Sequence, residues 1–263
     1  MNPPPDNSLV PALAMRGVAV ASVRDPQTVV CEGVDWTVLP GEFWAVAGMH
    51  GSGKSDLLAL AAGLTAPAAG SYRLFGREMP LTREDSLPER LRVGLVFDGG
   101  GLLQHLSVRE NVALPLLYHL ALPEEETARR VTELLERTGL TAVADVTPGN
   151  LSRSRQKLAG LARALVLAPE VLLLDNPLGG LDLRQAAWWL GFLEKLAAAP
   201  RLPSGAGMTL VVTTEDLRPW RCRAGQFALL RDRRLIPLGG GGRLADHPEP
   251  LVKEFLAEHL SAV

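Results

Sequence analysis

Apolar and polar positions change period several times along this chain, and the changes outline its elements. Val18–Val23 and Val34–Val38 alternate or run apolar at strand length, the pattern of a small antiparallel sheet. The turn Pro40-Gly41-Glu42 leads into the apolar run Phe43-Trp44-Ala45-Val46-Ala47, and Asp56–Gly63 reads as a helix closed by glycine. Ser71–Phe75 and Arg92–Phe97 predict two further strands. Helical spacing then dominates to about Gly149, with helices over Val108–Leu120 and Glu124–Thr138. The second opens on three glutamates and puts Val131, Leu134 and Leu135 on one face. Gln156–Ala168 carries Leu158, Leu161, Ala162 and Leu165 at helical spacing and is stopped by Pro169. The continuous apolar run Val171–Leu174 has the character of a parallel strand covered on both faces. A helix over Leu183–Ala199, a Pro/Gly/Ser loop at 200–207 and a strand at Leu210–Thr213 follow. Phe227–Leu230 and Leu235–Leu238 predict a hairpin across Asp232, and a last helix is expected near Pro250–Leu260. Strands alternating with helices predict an α/β fold with a parallel sheet. The Pro-rich residues 1–14 are expected to be a loose leader to a single domain over 15–263.

One stretch carries chemistry outright. Gly48-Met49-His50-Gly51-Ser52-Gly53-Lys54-Ser55 satisfies G-x-x-x-x-G-K-[ST] and sits between a predicted strand and a predicted helix. Glycines let successive backbone N–H groups turn inward on phosphate oxygens, and the helix adds the positive end of its dipole. Lys54 would reach the β- and γ-phosphates, Ser55 would ligate Mg²⁺, and Asp56 opens the helix. A nucleoside triphosphate with Mg²⁺ is therefore the expected ligand.

Composition narrows the remaining classes. The apolar fraction of 47% suffices for a core, and the net charge of −2 provides no basic field for nucleic acid. Lys54, Lys157, Lys195 and Lys253 are the only lysines. Cys31 and Cys222 lack metal-ligand or disulfide spacing and are expected as two buried free thiols. Met1–Asp6 carries no basic residue and no 18-residue apolar stretch exists, so neither a leader peptide nor a membrane span is expected. A cytoplasmic chain, peripheral to a membrane only through a partner, is the expectation.

The order of motifs over about residues 15–260 resembles an ATP-binding-cassette (ABC) ATPase. Leu151-Ser152-Arg153-Ser154-Arg155 sits where that family has its LSGGQ signature, Asp175-Asn176 at the Walker B Asp-Glu, and Gly180-Leu181-Asp182 at the D-loop. Thr213-Thr214 sits where the switch histidine follows Ser or Thr, and Gly160–Leu165 before Pro169 is typical. Val108–Leu116 and the ending His247-Pro248-Glu249-Pro250 with Val252 and Phe255-Leu256 resemble the ATPase subunits of Mla- and Mce-type lipid transporters. The resemblance implies a P-loop core, an antiparallel β subdomain and a helical subdomain near 98–168. It further implies ATP and Mg²⁺, a membrane permease as partner, and pairing with a second cassette as homo- or heterodimer.

Five residues depart from the family motifs. Asn176 stands at the catalytic glutamate, and a neutral amide cannot take a proton from water. Glu215 or Asp216 would be the nearest substitutes. Thr214 stands at the switch histidine. Asp98 stands at the Q-loop glutamine, as a Mg²⁺ ligand beside Ser55 and Asp175 or as a solvated loop acid. Arg153 and Ser154 replace the signature glycines and either hinder close approach to phosphate or, with Arg155, supply cationic contacts. No aromatic precedes Trp36 to stack on a base, which leaves Val23 or Arg24 for that place. The pair Trp188-Trp189 is expected as one inward ring and one at an edge. These departures predict a chain that binds nucleotide and hydrolyses it poorly.

Overall fold

A computed structural model describes residues 10–79, 86–199, 207–244 and 247–257. In chain order its elements are β1 (Leu13–Ala21), β2 (Val29–Val38), β3 (Phe43–Gly48), α1 (Lys54–Ala61), β4 (Ala69–Leu74), β5 (Arg77–Glu78), α2 (Leu87–Arg90), β6 (Val93–Val96), α3 (Val108–Pro115), α4 (Glu124–Arg137), α5 (Arg153–Leu165), β7 (Val171–Leu174), α6 (Leu183–Ala198), β8 (Thr209–Thr214), β9 (Gln226–Arg231), β10 (Arg234–Gly239) and α7 (Pro250–Leu256). The described strands form an antiparallel sheet of order β2-β1-β4-β5 and a larger sheet of order β10-β9-β3-β8-β7-β6. In the larger sheet β9, β3, β8, β7 and β6 run parallel, and β10 closes the edge as an antiparallel hairpin.

The strand period of two divides the core between the faces of the parallel sheet. Phe43, Ala45 and Ala47 join Leu172, Leu174, Leu210 and Val212 against the helices that include α3–α6. Trp44 and Val46 join Val171, Leu173 and Val211 on the other face, against Leu57, Leu58 and Leu60 of α1. The antiparallel sheet closes that second layer with Leu13, Met15, Val18 and Val34. Helix α1 is thus held between two sheets, with its N-terminus beyond the carboxyl end of β3. In open α/β sheets that is where ligands bind.

Several boundaries differ from the sequence reading, each for a local reason. β1 begins at Leu13, so residues 13 and 14 pair in a sheet rather than trailing loosely. α5 begins at Arg153, three residues before the expected start, because the Ser152 hydroxyl caps it by accepting from the Arg155 N–H. α3 ends at Pro115, and Leu116–Leu120 form one π-helical turn that Ala121 stops at φ 45°. A proline inside the helix has no N–H for the i−4 carbonyl, and the ladder loosens there. The expected loop at 200–206 and the last residues of the C-terminal helix, 258–260, lie outside the described residues. Trp189 is buried and Trp188 lies at an edge, stacked on Phe192 at 4.8 Å. Cys31 is buried as expected, but Cys222 is exposed.

Two backbone approaches fix the loop after β6. Asn111 is fully buried; its carbonyl oxygen accepts from Leu103 N–H, and its amide donates to the Leu103, Leu106 and Ser107 carbonyls. Gly100 and Gly160 press loop and α5 together: a Cβ on Gly160 would lie 2.6 Å from the Gly100 carbonyl oxygen, and one on Gly100 2.3 Å from the Gln156 oxygen. Both obstacles are backbone, so nothing can yield cheaply. Gly160→Ala should therefore destabilise the fold by about 1–3 kcal/mol through overpacking, measured as a lower urea midpoint with unchanged slope.

Candidate nucleotide site

The glycines of the phosphate loop are required by its shape. A Cβ on Gly48 would meet Ser52 Oγ at 2.6 Å and the Leu230 carbonyl at 2.9 Å, and Gly51 and Gly53 turn at φ 75° and 94°. These left-handed values strain any residue with a Cβ. Met49 and His50 are exposed. Buried Lys54 donates to the Gly48 and Met49 carbonyls, each at 2.7 Å. Burial holds its ammonium below the ordinary lysine value, opposed by the carboxylates of Glu215 and Asp175.

Strand ends supply the acids. Asp175, just beyond β7, receives the Ser55 hydroxyl at 2.6 Å on one oxygen and the Thr213 hydroxyl at 2.7 Å on the other. Thr213 also accepts the Asn176 N–H at 3.0 Å. Ser55 and Asp175 together offer the oxygen donors that a hard divalent cation takes, so this pair fits Mg²⁺. A cleft of about 450 Å³ joins these groups. Its lining includes Ser22, Val23, Arg24, Asp98, Asp175, Asn176 and Glu215. Val23 and Arg24, the stand-ins expected at the base position, thus reach the cleft. Asp56 accepts the Val23 N–H at 2.7 Å and so tethers that segment to α1.

Several candidate residues do not stand as the sequence placed them. Thr214 is buried; its hydroxyl donates to the Asp216 carbonyl and accepts the Asp216 N–H, so it does not face the loop. The side chain that does is Glu215, one residue on, with Oε1 3.6 Å from Lys54 Nζ and 3.6 Å from His50 Nδ1. Asp216 pairs with Arg218 and is not free to replace the missing glutamate. Asp98 lines the cleft as the counter-charge of two cations rather than as an unpaired loop acid: Arg153 Nη2 reaches it at 2.6 Å and Lys157 Nζ at 2.8 Å. Asn176 takes φ 45°, a left-handed value that Asn tolerates better than most side chains. Its amide packs on Gly179, where a Cβ would lie 2.2 Å from Nδ2.

The signature residues Ser152, Arg153, Ser154 and Arg155 lie outside the cleft lining. Ser152 and Ser154 hydroxyls meet at 3.2 Å, Arg155 is exposed, and only Arg153 touches the site, through Asp98. The residue that sequence reasoning missed is Lys157. It is buried, pairs with the Asp98 carboxylate, and donates to the Asn176 carbonyl at 2.8 Å and the Gly179 carbonyl at 2.7 Å. The available signal was a lysine, rare in this chain, on a helix otherwise packed by apolar residues.

Comparison with known proteins agrees with this geometry. Residues 31–179, more than half of the chain, match the family model described as ABC transporter. The chain is 32% identical over 228 residues to the intermembrane phospholipid transport system ATP-binding protein MlaF of Escherichia coli strain K12, covering 86% of this chain and 82% of that protein. It is 35% identical over 232 residues to the macrolide export ATP-binding/permease protein MacB of Nitrosomonas europaea, but spans only 34% of that protein's length. The solved ATP-binding cassette MJ0796, a dimer in a post-hydrolysis state with ADP and Pi, superposes with a TM-score of 0.74 at 28% identity, over 87% of this chain and 99% of that one. With its phosphate loop, strand-end aspartate and sheet order all in place, the chain belongs to the ABC transporter family as an ATP-binding domain.

Proposed function

We propose that this chain is the ATP-binding subunit of a lipid-handling transporter of Mla or Mce type, and that it hydrolyses ATP poorly. ATP-binding domains of this family bind ATP, generally with Mg²⁺. The observation that carries nucleotide binding here is the arrangement of Lys54, Ser55 and Asp175 around one cleft. Ser55 and Asp175 would hold Mg²⁺, which supplies charge neutralisation at the outer phosphates. Loop backbone and Lys54 orient the phosphate chain.

Poor hydrolysis is supported by the strand-end geometry. Asn176 lines the cleft where a water-activating carboxylate would be needed, and Asp216 is committed to Arg218. Sites in this family are built from the phosphate loop of one subunit and the signature of another. Asn176 and the altered Arg153-Ser154 lie in the same chain, so no choice of partner yields two intact sites. A second reading, a regulatory subunit that holds nucleotide without turnover, draws on the same two features. A steady-state ATPase assay with the permease present separates it from the first.

Support for a permease partner comes from the surface of the π-helical turn. Leu117, Tyr118 and Leu120 are exposed there, as is Leu103. Beside them Pro115, His119 and Arg163 line a groove of about 230 Å³ with Leu87 and Leu91. An exposed apolar patch of this kind marks a protein contact. We assign it to a permease segment, which would place the chain peripherally at the inner face of the membrane. The lipid substrate rests on the likeness of Val108–Leu116 and His247–Pro250 to Mla and Mce ATPases, and on the kinship to MlaF. Testing it requires transport assays with the cognate permease and labelled phospholipid.

Calorimetry should detect Mg·ATP binding, and Lys54→Ala should weaken it by about 10–100-fold, the value of a charge-assisted hydrogen bond. No binding by a folded wild-type chain would contradict the reading. Turnover should be slow, by about 10²–10⁴-fold relative to a site with a positioned base. Asn176→Glu should restore little of it and should lower stability by about 1–2 kcal/mol, because a longer side chain must accept the left-handed backbone. Phosphate release at an ordinary rate by the unmodified chain would refute this and would point to Glu215 as the base.

A further inference from the structure

We propose that Glu215 makes this site discriminate against the terminal phosphate of a nucleoside triphosphate, so that a nucleoside diphosphate binds at least as tightly. The inference rests on the nucleotide reading above. It concerns the charge that the terminal phosphate meets.

Loop backbone cradles the inner phosphates, while the loop lysine and hydroxyl reach the outer ones. Lys54, Asp98, Asp175, Asn176 and Glu215 line one cleft. Glu215, 3.6 Å from Lys54 Nζ, stands beside the group that reaches the outer phosphates. The lining contains four acids, Asp56, Asp98, Asp175 and Glu215, against the cations Arg24 and Lys54.

Three of those acids are otherwise engaged. Asp56 accepts the Val23 N–H. Asp98 is neutralised by Lys157 and Arg153. Asp175 is bound to the hydroxyls of Ser55 and Thr213, the arrangement that suits a cation. Glu215 instead faces Lys54 and the exposed His50. A terminal phosphate needs the same Lys54 ammonium. If Glu215 swings away, its ion pair with Lys54 is lost. If it stays, two anions share one lysine in a half-enclosed site, where like charges are poorly screened. The first cost falls on any phosphate chain that takes Lys54, whereas the second grows with the charge brought to the carboxylate and so weighs more on a triphosphate than on a diphosphate. Thr214, its hydroxyl closed onto Asp216, offers no neutral contact in its place.

The test is calorimetry on the full chain with Mg·ADP and with the Mg²⁺ complex of a non-hydrolysable ATP analogue, for wild type, Glu215→Gln and Glu215→Ala. Thermal melts check that the variants fold; Glu215 is 46% exposed, so both should. Wild type should bind ADP as tightly as the analogue or more tightly. Both variants should tighten the analogue roughly tenfold while changing ADP by less than about threefold. An analogue that binds wild type more tightly than ADP, with a ratio unmoved by either variant, overturns the proposal. So does a Glu215→Gln that only lowers turnover, which would make Glu215 a base. Failure of a folded wild type to bind either nucleotide removes the nucleotide reading itself, an outcome distinct from an unmoved ratio.

Discussion

One buried ammonium has to be satisfied for this site to exist in its present form. Lys157 donates to the Asn176 and Gly179 carbonyls and forms an ion pair with Asp98 at 2.8 Å. Burial depresses its proton affinity, and the Asp98 carboxylate opposes that. An unmatched charge at this depth would cost several kcal/mol. The three partners come from the loop after β6 and from the turn after β7, and the lysine itself from α5. Satisfying one side chain therefore ties together three segments that are far apart in sequence. The close approach of Gly100 to Gly160 reinforces the same junction from the backbone.

That junction explains why the altered positions must be read together. Asp98 is held as a counter-charge for Lys157 and Arg153 rather than presented to a cation. Arg153 in turn spends its guanidinium on Asp98, which argues against a role in reaching phosphate from the α5 terminus. Asn176 gives its carbonyl to Lys157, its N–H to Thr213 and its amide to packing on Gly179. Two of the departures, Asp98 and Arg153, thus serve as contacts for each other, and Asp98 and Asn176 meet at Lys157.

The parts of this arrangement that are local were legible in the sequence. The phosphate loop is contiguous, and its glycines, lysine and hydroxyl are dictated by one ligand's geometry. The Val171–Leu174 run and the β9–β10 hairpin were legible because burial on both faces, or a tight turn, writes itself into neighbouring residues. Lys157 was not legible as a site residue, since its partners lie 59, 19 and 22 positions away. The assignment of Thr214 over Glu215 failed for a different reason. Side chains alternate along a strand, so the end of β8 decides which of two neighbours faces the loop. A hydrogen bond from Thr214 back to Asp216 settles that, and no periodicity encodes it.

Two kinds of charge management therefore meet in one cleft. On the β6 and α5 side an acid has been matched by cations on the same chain, and the match is structural. On the β8 side Glu215 has been set against Lys54, the residue that a nucleotide itself requires. The first pairing is insulated from ligand, because Lys157 is buried and Asp98 is already shared. The second is exposed to competition by any anion entering the loop. The second makes ligand charge itself the variable that the site reads, since an entering phosphate must either take Lys54 from Glu215 or leave it there.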